Sequence, residues 1–333
     1  MRNVTYECRI LTPMFIHGAG SENSSRDGRV KMIYDAQLLA IAFKSSMRFW
    51  WRALQSEDGA ELLEKEKKLF GGVQDKDSSG GRCPFDISVE SNLSSEQKRP
   101  LPHSSQKKFT TGAFAENGTF SVKFLARKRN CDLKFYMSLF ELASLLGGVG
   151  QRARRGAGSY VIENRIDGDG NSVNPFGNDD LKKCLLERMY SIAADPGKIQ
   201  SPAKKQQITC SGAGALCKIR KVDFVVSADS TGADIFKHIS DVSHKVRNPL
   251  DSIYKGLKTD EVNRYSGMAL GHVDKGRLAS PVTVSVTEIL GKKYILVVTL
   301  TGDCDVKQTA TSEQAIIHKI QERFILELSG QRS

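Results

Sequence analysis

GGVGQRARRGAGSY, at Gly147–Tyr160, places three arginines between two pairs of glycines and contains no acidic residue. The arginines are Arg152, Arg154 and Arg155, and the glycine pairs are Gly148/Gly150 and Gly156/Gly158. Glycine permits positive φ and lets a backbone approach a ligand closely, and the arginine fork matches phosphate oxygens in a bidentate manner. The stretch therefore predicts a loop that presses against a polyanion. The alternative is an exposed connector that is basic by chance.

Two familiar phosphate-binding motifs do not describe this stretch. A P-loop ends in Gly-Lys-Ser/Thr, and that ending is missing here. The glycine spacing, G-x-G-x5-G-x-G, also differs from the fingerprint of dinucleotide-binding proteins. The sequence therefore favours a different way of binding a polyanion.

The segments around this loop predict a β-α-β-β-α-β order in the first half of the chain. Apolar residues recur at helical period from Leu38 to Glu57, and Asp132 can cap a helix that ends before Gly147-Gly148. The predicted strands are Val4–Leu11, Phe85–Glu90, Thr119–Ala126 and Ser159–Ile166. This order is typical of an α+β, ferredoxin-like or RRM-like domain, with an antiparallel sheet and two helices on one face. The Gly/Arg stretch then links the second helix to the fourth strand.

The second half predicts a degenerate copy of the same domain. A linker rich in glycine, Asp167–Gly177, is followed by segments that read β-α-β-β-α, so the last strand is missing or supplied elsewhere. We therefore expect two ferredoxin-like domains, at residues 1–167 and 178–333.

The composition of the 333 residues favours a polyanionic partner. There are 49 lysines and arginines against 38 acidic residues, which gives a net charge of +11, and 39% of the residues are hydrophobic. The seven cysteines are scattered without C-x2-C spacing, so we expect reduced thiols in the cytoplasm. The sequence predicts no metal site, no cofactor and no membrane-spanning segment.

The first predicted helix carries a basic stripe. Lys44, Arg48 and Arg52 are spaced i, i+4, i+8 beside the apolar face that holds the two tryptophans. One interpretation is a solvated flank of a helix whose tryptophans lie in the core. The other is a basic edge that follows a phosphate backbone or a partner subunit, with Phe49 as a stacking surface.

His17, in a predicted loop, is a candidate catalytic residue. Metal-independent RNA cleavage needs a general base and a general acid near the 2′-hydroxyl, and histidine suits both roles. Lys31 and Tyr34 are its candidate partners if the hairpin near Val30–Tyr34 folds over it. The alternative is a loop histidine without a catalytic role.

Four segments together resemble the RAMP superfamily, and more narrowly the family of the first RAMP subunit of the type III-B CRISPR effector, the Cmr complex. They are RFWWRAL (48–54), LFGG (69–72), GVGQRARRGAGSY (148–160) and RLASPV (277–282). The resemblance implies two ferredoxin-like domains and a non-catalytic, RNA-binding subunit of this antiviral surveillance complex. It also implies contacts with the 3′ region of the guide (CRISPR) RNA, with target RNA and with other RAMP subunits.

Carried over by motif, the resemblance implies RNA-binding roles for Lys44, Arg48, Arg52, Gly148, Gly150, Arg152, Arg154, Arg155, Gly156 and Gly158. Ser45 stands where the family usually has glycine, so the start of this helix departs from the family pattern. Two alternative functions stay open. One is a metal-independent RAMP endoribonuclease that uses His17, and the other is a protein-interaction module whose basic loop is incidental.

Overall fold

In a computed structural model, each half of the chain forms a five-stranded antiparallel sheet. The structure describes residues 2–18, 20–24, 30–73, 81–103, 109–203, 205–211, 217–228, 231–248, 252–271, 279–302 and 310–330. The strands are β1 (Asn3–Ile10), β2 (Ser21–Ser24), β3 (Val30–Ile33), β4 (Phe85–Ser91), β5 (Glu96–Lys98), β6 (Thr111–Ala113), β7 (Thr119–Ala126), β8 (Tyr160–Asp167), β9 (Ser172–Val173), β10 (Ile199–Gln200), β11 (Gln207–Cys210), β12 (Ile219–Val226), β13 (Val282–Ile289) and β14 (Lys292–Leu300). The helices are α1 (Ala40–Ala53), α2 (Gly59–Phe70), α3 (Leu133–Leu146), α4 (Leu181–Ile192), α5 (Gly232–Lys245), α6 (Thr259–Leu270) and α7 (Thr311–Leu328).

The first sheet has the strand order of a ferredoxin-like domain. Its order is β4-β7-β1-β8-β9, with β1 paired to β7 on one side and to β8 on the other. The predicted β-α-β-β-α-β order is therefore confirmed, and the short strand β9 extends the sheet at one edge. The first helix is shorter than predicted, because the chain turns after Ala53 and starts the unpredicted helix α2 at Gly59.

The second sheet explains how the incomplete copy closes. Its order is β10-β11-β12-β14-β13, so β11 lies beside the central strand β12, where a fourth strand would lie. β11 precedes β12 in the chain, whereas the fourth strand of a ferredoxin-like domain follows the second helix. The preceding segment therefore supplies the missing strand and covers an edge that would otherwise leave backbone groups of β12 unpaired.

Helix α3 joins the two halves through a shared core. Residues 139–149 are all buried, and α3 packs against α1, α4, β8 and β13. The hydroxyl of Ser285 on β13 donates to the carbonyl of Leu145, at 3.1 Å. Because one helix packs against both sheets, the loop that follows it starts at the junction of the two halves. The predicted boundaries at residues 167 and 178 stay a prediction.

The described ranges contain no disulfide and no membrane-spanning helix. The six cysteines within the described ranges are all free, and Cys304 lies outside them. No helix in these ranges combines the length and the apolar character that a membrane crossing needs.

Asp132 caps α3 as the sequence predicts, and this contact has a measurable value. Its side chain accepts a hydrogen bond from the backbone N–H of Phe135, at 3.2 Å. Replacing Asp132 with alanine leaves that N–H without its side-chain acceptor, and we expect the free energy of unfolding to fall by about 1 kcal/mol. Urea denaturation measures this loss, and Asp132→Asn should retain most of the stability, because asparagine is also a good cap. An unchanged midpoint for the alanine variant would contradict the capping role.

Candidate nucleic-acid interface

The Gly/Arg loop, residues 147–159, folds back on itself and is fastened to the segment after β1. Val149 donates its N–H to the carbonyl of Gly158 at 3.0 Å, and Gly158 donates to the carbonyl of Pro13 at 2.9 Å. Gln151 donates to the carbonyl of Phe15 at 2.6 Å. These backbone bonds fix the path of the loop, so its side chains project from a defined frame.

The glycines of the loop approach the chain's own backbone. Gly150 and Gly158 have φ of +90° and +66°, and a Cβ at either would lie 2.3 Å from the carbonyl oxygen of Phe15 or 2.0 Å from that of Val149. Both positions therefore require glycine for conformation and for space. Gly148, Gly156 and Gly158 are buried, and Gly150 is exposed. The three buried glycines therefore act on the shape of the loop. Of the four glycines predicted to contact RNA, Gly150 is the one that lies at the surface.

Thr12, which belongs to no recognised sequence motif, holds the second half of the loop by hydrogen bonds. Its buried hydroxyl donates to the carbonyl of Gly156 at 2.7 Å and accepts from the N–H of Ser159 at 3.0 Å. The loop also contacts the second half of the chain, because Gly156 donates its N–H to the carbonyl of Val284 on β13 at 2.9 Å. The loop is therefore bonded to both halves of the protein.

Arg152 and Arg154 lie on the accessible side of this frame. Arg152 is exposed and has a φ of +59°. Arg154 is half-buried, its guanidinium lies 4.6 Å from the ring centroid of Phe49 on α1, and it donates to the carbonyl of Ser280 at 3.3 Å. Neither arginine forms an ion pair with a residue of the described ranges. The contact with Phe49 connects the loop to the exposed face of α1.

Arg155 points inward. It donates to the carbonyl of Leu270 at the end of α6, and Arg247 donates to the same carbonyl at 2.9 Å, so two cations lie at a helix C-terminus. Burial is the main cause that lowers the pKa of Arg155 to about 9, and the other causes are the charges of Arg247, Arg152 and Arg154. In this structure Arg155 therefore anchors the loop to α6 and is less exposed than Arg152. Arg247 adds positive charge, and no sequence motif marks it.

The basic stripe of α1 is partly neutralised within the protein. Arg48 and Arg52 both donate to the carboxylate of Glu66 on α2, which is 3% exposed, and Arg52 contacts both of its oxygens. The side chains of the two arginines are 36% and 45% exposed. The ammonium of Lys44 lies 5.8 Å from the ring centroid of Phe85. The stripe thus keeps a net positive charge, but its first role is to hold α1 against α2.

A single substitution tests whether the basic stripe holds α1 against α2. Arg52→Ala removes the bidentate partner of Glu66, and we expect a loss of about 1–3 kcal/mol in the free energy of unfolding, because hydrogen bonds to a buried carboxylate are lost. Lys68→Ala, at an exposed position of α2, should change it by less than about 0.5 kcal/mol. Chemical denaturation of both variants measures the difference. Equal midpoints would mean that the pair with Glu66 does not stabilise the helices.

His17 is held by hydrogen bonds. Its Nε2 lies 2.6 Å from the carbonyl oxygen of Gly112, and since a carbonyl only accepts, Nε2 carries the proton of this bond. The hydroxyl of Thr111 lies 3.3 Å from the same nitrogen. The ring of Tyr34, one candidate partner, lies 6.0 Å away between centroids, and the side chain of Lys31 lies outside the described part of the structure. This arrangement favours a structural role for His17.

The open face of the first sheet does not offer the aromatic platform of an RRM. The aromatic side chains of β1, β7 and β8 are buried against α1 and α3, as Tyr6, Phe120, Phe124 and Tyr160 show. The opposite face carries both signs of charge, for example in the ion pair between Arg9 and Glu163 at 2.6 Å. We therefore place the candidate interface at the Gly/Arg loop and the exposed face of α1.

The comparisons with known proteins agree with this fold. The sequence model of the RAMP superfamily matches residues 7–161, which run from the middle of β1 to the start of β8 and contain the whole Gly/Arg loop. No curated protein sequence matches the chain. Among solved structures, Cmr1 from Pyrococcus furiosus in its apo form is 17% identical, with a TM-score of 0.56, over 99% of this chain and 97% of that one.

A chain of the type III-B Cmr-beta complex bound to cognate target RNA is also similar. It is 9% identical, with a TM-score of 0.58, over 98% of this chain and 99% of that chain. A second structure of the Cmr-beta complex, with target RNA, AMPPnP and single-stranded DNA, gives a TM-score of 0.56 at 9% identity over 98% and 99% of the two chains. At such identities the likeness concerns the fold. The match to the RAMP superfamily model thus covers residues 7–161, and over its whole length the chain has the fold of Cmr1 and of these Cmr-beta chains.

Proposed function

We propose that this chain is a non-catalytic RNA-binding subunit of a type III-B CRISPR surveillance complex in the cytoplasm. It would contact the guide RNA in its 3′ region, the paired target RNA, or both, mainly through phosphates. The fold supports this proposal, because the similar chains include Cmr1 and chains of Cmr-beta complexes bound to target RNA. Other RAMP subunits of such a complex would be its protein partners.

The observation that carries the proposal is the charge of the Gly/Arg loop. Arg152 is exposed and Arg154 half-buried, and neither is neutralised by an ion pair within the described ranges, while Arg155 and Arg247 add positive charge behind them. A cationic surface held in place by backbone hydrogen bonds is suited to a polyanion. We assign direct phosphate contacts to Arg152, Arg154 and the exposed backbone at Gly150.

The other predicted residues take supporting roles in this proposal. Lys44, Arg48 and Arg52 would extend the positive surface along α1, where Glu66 offsets part of their charge. Gly148, Gly156, Gly158 and Arg155 would act through the shape of the loop. The bond between His17 and the carbonyl of Gly112 favours binding over cleavage by this residue.

One assay with the purified chain tests binding and catalysis together. Labelled single-stranded RNA is titrated at low salt in EDTA, retention is measured by fluorescence anisotropy, and the RNA is then run on a denaturing gel. We expect saturable retention and intact RNA. Absence of retention at low salt would favour the protein-interaction module. Cleavage that disappears in His17→Ala would overturn the non-catalytic assignment.

A further inference from the structure

A groove of 540 Å³ opens beside the Gly/Arg loop, at the start of α1. It is bordered by Gly150 and Gln151 of the loop and by aromatic and polar side chains from three other segments. The lining includes Phe15, His17, Tyr34, Phe109, Thr111 and Gln151. Among the lining residues that the structure describes, none is acidic, lysine or arginine, although Arg152 follows Gln151 directly in the chain.

The floor of the groove is held by backbone hydrogen bonds. Gln37 donates to the carbonyl of Ile16 at 2.9 Å, and Gly112 donates to the carbonyl of Tyr34 at 3.1 Å. The bond from Gln151 to the carbonyl of Phe15 joins the loop to the same floor. Four segments are thus fixed relative to one another, so the groove exists before a ligand arrives, which reduces the entropic cost of binding.

Two aromatic side chains at this groove are unusually exposed. The side chain of Phe109 is 65% exposed and that of Tyr34 is 44% exposed, whereas Phe15 beneath them is fully buried. The ring of His17 lies 6.0 Å from that of Tyr34. Aromatic faces bordering an uncharged groove are suited to stacking with a planar ring.

The arginines beside the groove favour a nucleotide base as the planar ring that it binds. A free phosphate would meet no lysine or arginine among the described lining residues, but a nucleotide could keep its phosphate at Arg152 and Arg154 and place its base against the aromatic side chains beside them. The exposed side-chain amide of Gln151 provides both a donor and an acceptor for a base edge. An apolar side chain of a protein would leave this amide, and the adjacent arginines, unused.

We propose that this groove binds an unstacked base of the RNA whose phosphates contact the Gly/Arg loop. The base stacks on Phe109 and Tyr34, and the side chain of Gln151 hydrogen-bonds its edge. This inference rests on the proposed function, since it presumes that RNA reaches the loop. It adds a site for a base, and therefore a source of sequence preference, to a surface otherwise suited to phosphates.

The test compares Phe109→Ala and Tyr34→Ala with Tyr190→Ala, which removes a tyrosine of 43% exposure on α4. RNA affinity is measured against salt, with a single-stranded RNA in which 2-aminopurine is moved along the strand. We expect Phe109→Ala to weaken binding about 5- to 150-fold without changing the salt slope, because stacking is lost and phosphate contacts remain. One 2-aminopurine position should be quenched on binding to the unaltered protein and recover fluorescence in Phe109→Ala.

The controls separate the two proposals. If Phe109→Ala and Tyr34→Ala bind like Tyr190→Ala, while Arg152→Ala/Arg154→Ala still weakens binding, the groove does not hold a base and the proposed function stands. If the unaltered chain does not retain RNA, both proposals fail. Loss of association with a protein subunit in Phe109→Ala, at unchanged RNA affinity, would show that the groove binds protein and would also overturn the inference.

Discussion

Replacing Arg152 and Arg154 together with alanine will weaken the binding of single-stranded RNA about 100-fold at moderate salt, since two charge-assisted contacts are lost. The slope of log affinity against log salt should fall in magnitude by about 1.4, because each phosphate contact on a single strand contributes about 0.7. Folding should be little affected, since Arg152 is exposed and Arg154 loses only its contact with the ring of Phe49 and one hydrogen bond of 3.3 Å to the carbonyl of Ser280. Anisotropy titrations between about 50 and 200 mM salt measure both quantities.

The matched control removes the same charge elsewhere. Lys128 and Arg129 are exposed in the turn before α3, at the opposite end of this helix from the Gly/Arg loop. A helix of 14 residues is about 20 Å long, so the double alanine variant there changes the net charge without touching the interface. If both double variants reduce the slope equally, the loop has no special place in binding and only net charge matters.

Replacing Glu141 with alanine will cost about 3–5 kcal/mol of stability, the largest effect expected outside the interface. This carboxylate on α3 is 3% exposed and accepts from Tyr6 at 3.1 Å, from Arg165 at 2.9 Å and from Arg188 at 3.1 Å. Arg188, on α4, is itself buried, so the substitution leaves its charge without the carboxylate that neutralises it. Arg188 keeps its bonds to the carbonyls of Cys184 and Pro175, which limits the loss.

Urea denaturation of Glu141→Ala and of Glu187→Ala tests this network. Glu187 is 52% exposed and lies 3.5 Å from the same Arg188, so its loss should change the free energy of unfolding by less than about 0.5 kcal/mol. A similar small effect for both variants would mean that Glu141 is not what holds α3 to α4.

Much of the fold could be predicted from local patterns. Alternation in β7 and helical spacing in α1 reflect a half-buried strand and a one-sided helix, and the Asp132 cap is a contact between residues three apart. The position of β11 could not be predicted in this way. It depends on pairing between Gln207–Cys210 and β12, and a short strand at a sheet edge carries little pattern of its own.

The candidate site shows the same division between local and distant causes. The Gly/Arg stretch marks the loop, but the inward direction of Arg155 depends on a carbonyl 115 residues away in the sequence, and the pairing of Arg48 and Arg52 depends on Glu66 in a helix that was not predicted. The glycines of the stretch predict room for a ligand, whereas carbonyl groups of the chain itself lie where a Cβ would stand at Gly148, Gly150 and Gly158. Phe109 stands next to a polar segment and had no periodic pattern to mark it.

Ultraviolet crosslinking of the chain to guide and target RNA, with crosslinked peptides identified by mass spectrometry, tests most directly whether RNA meets this loop. Within an assembled complex, we expect crosslinks at the peptide that contains Gly150–Arg154 and at Tyr34 or Phe109, which border it. The yield should fall in Arg152→Ala/Arg154→Ala. Crosslinks confined to the open face of the first sheet, at β1, β7 and β4, with none at the loop, would contradict the account.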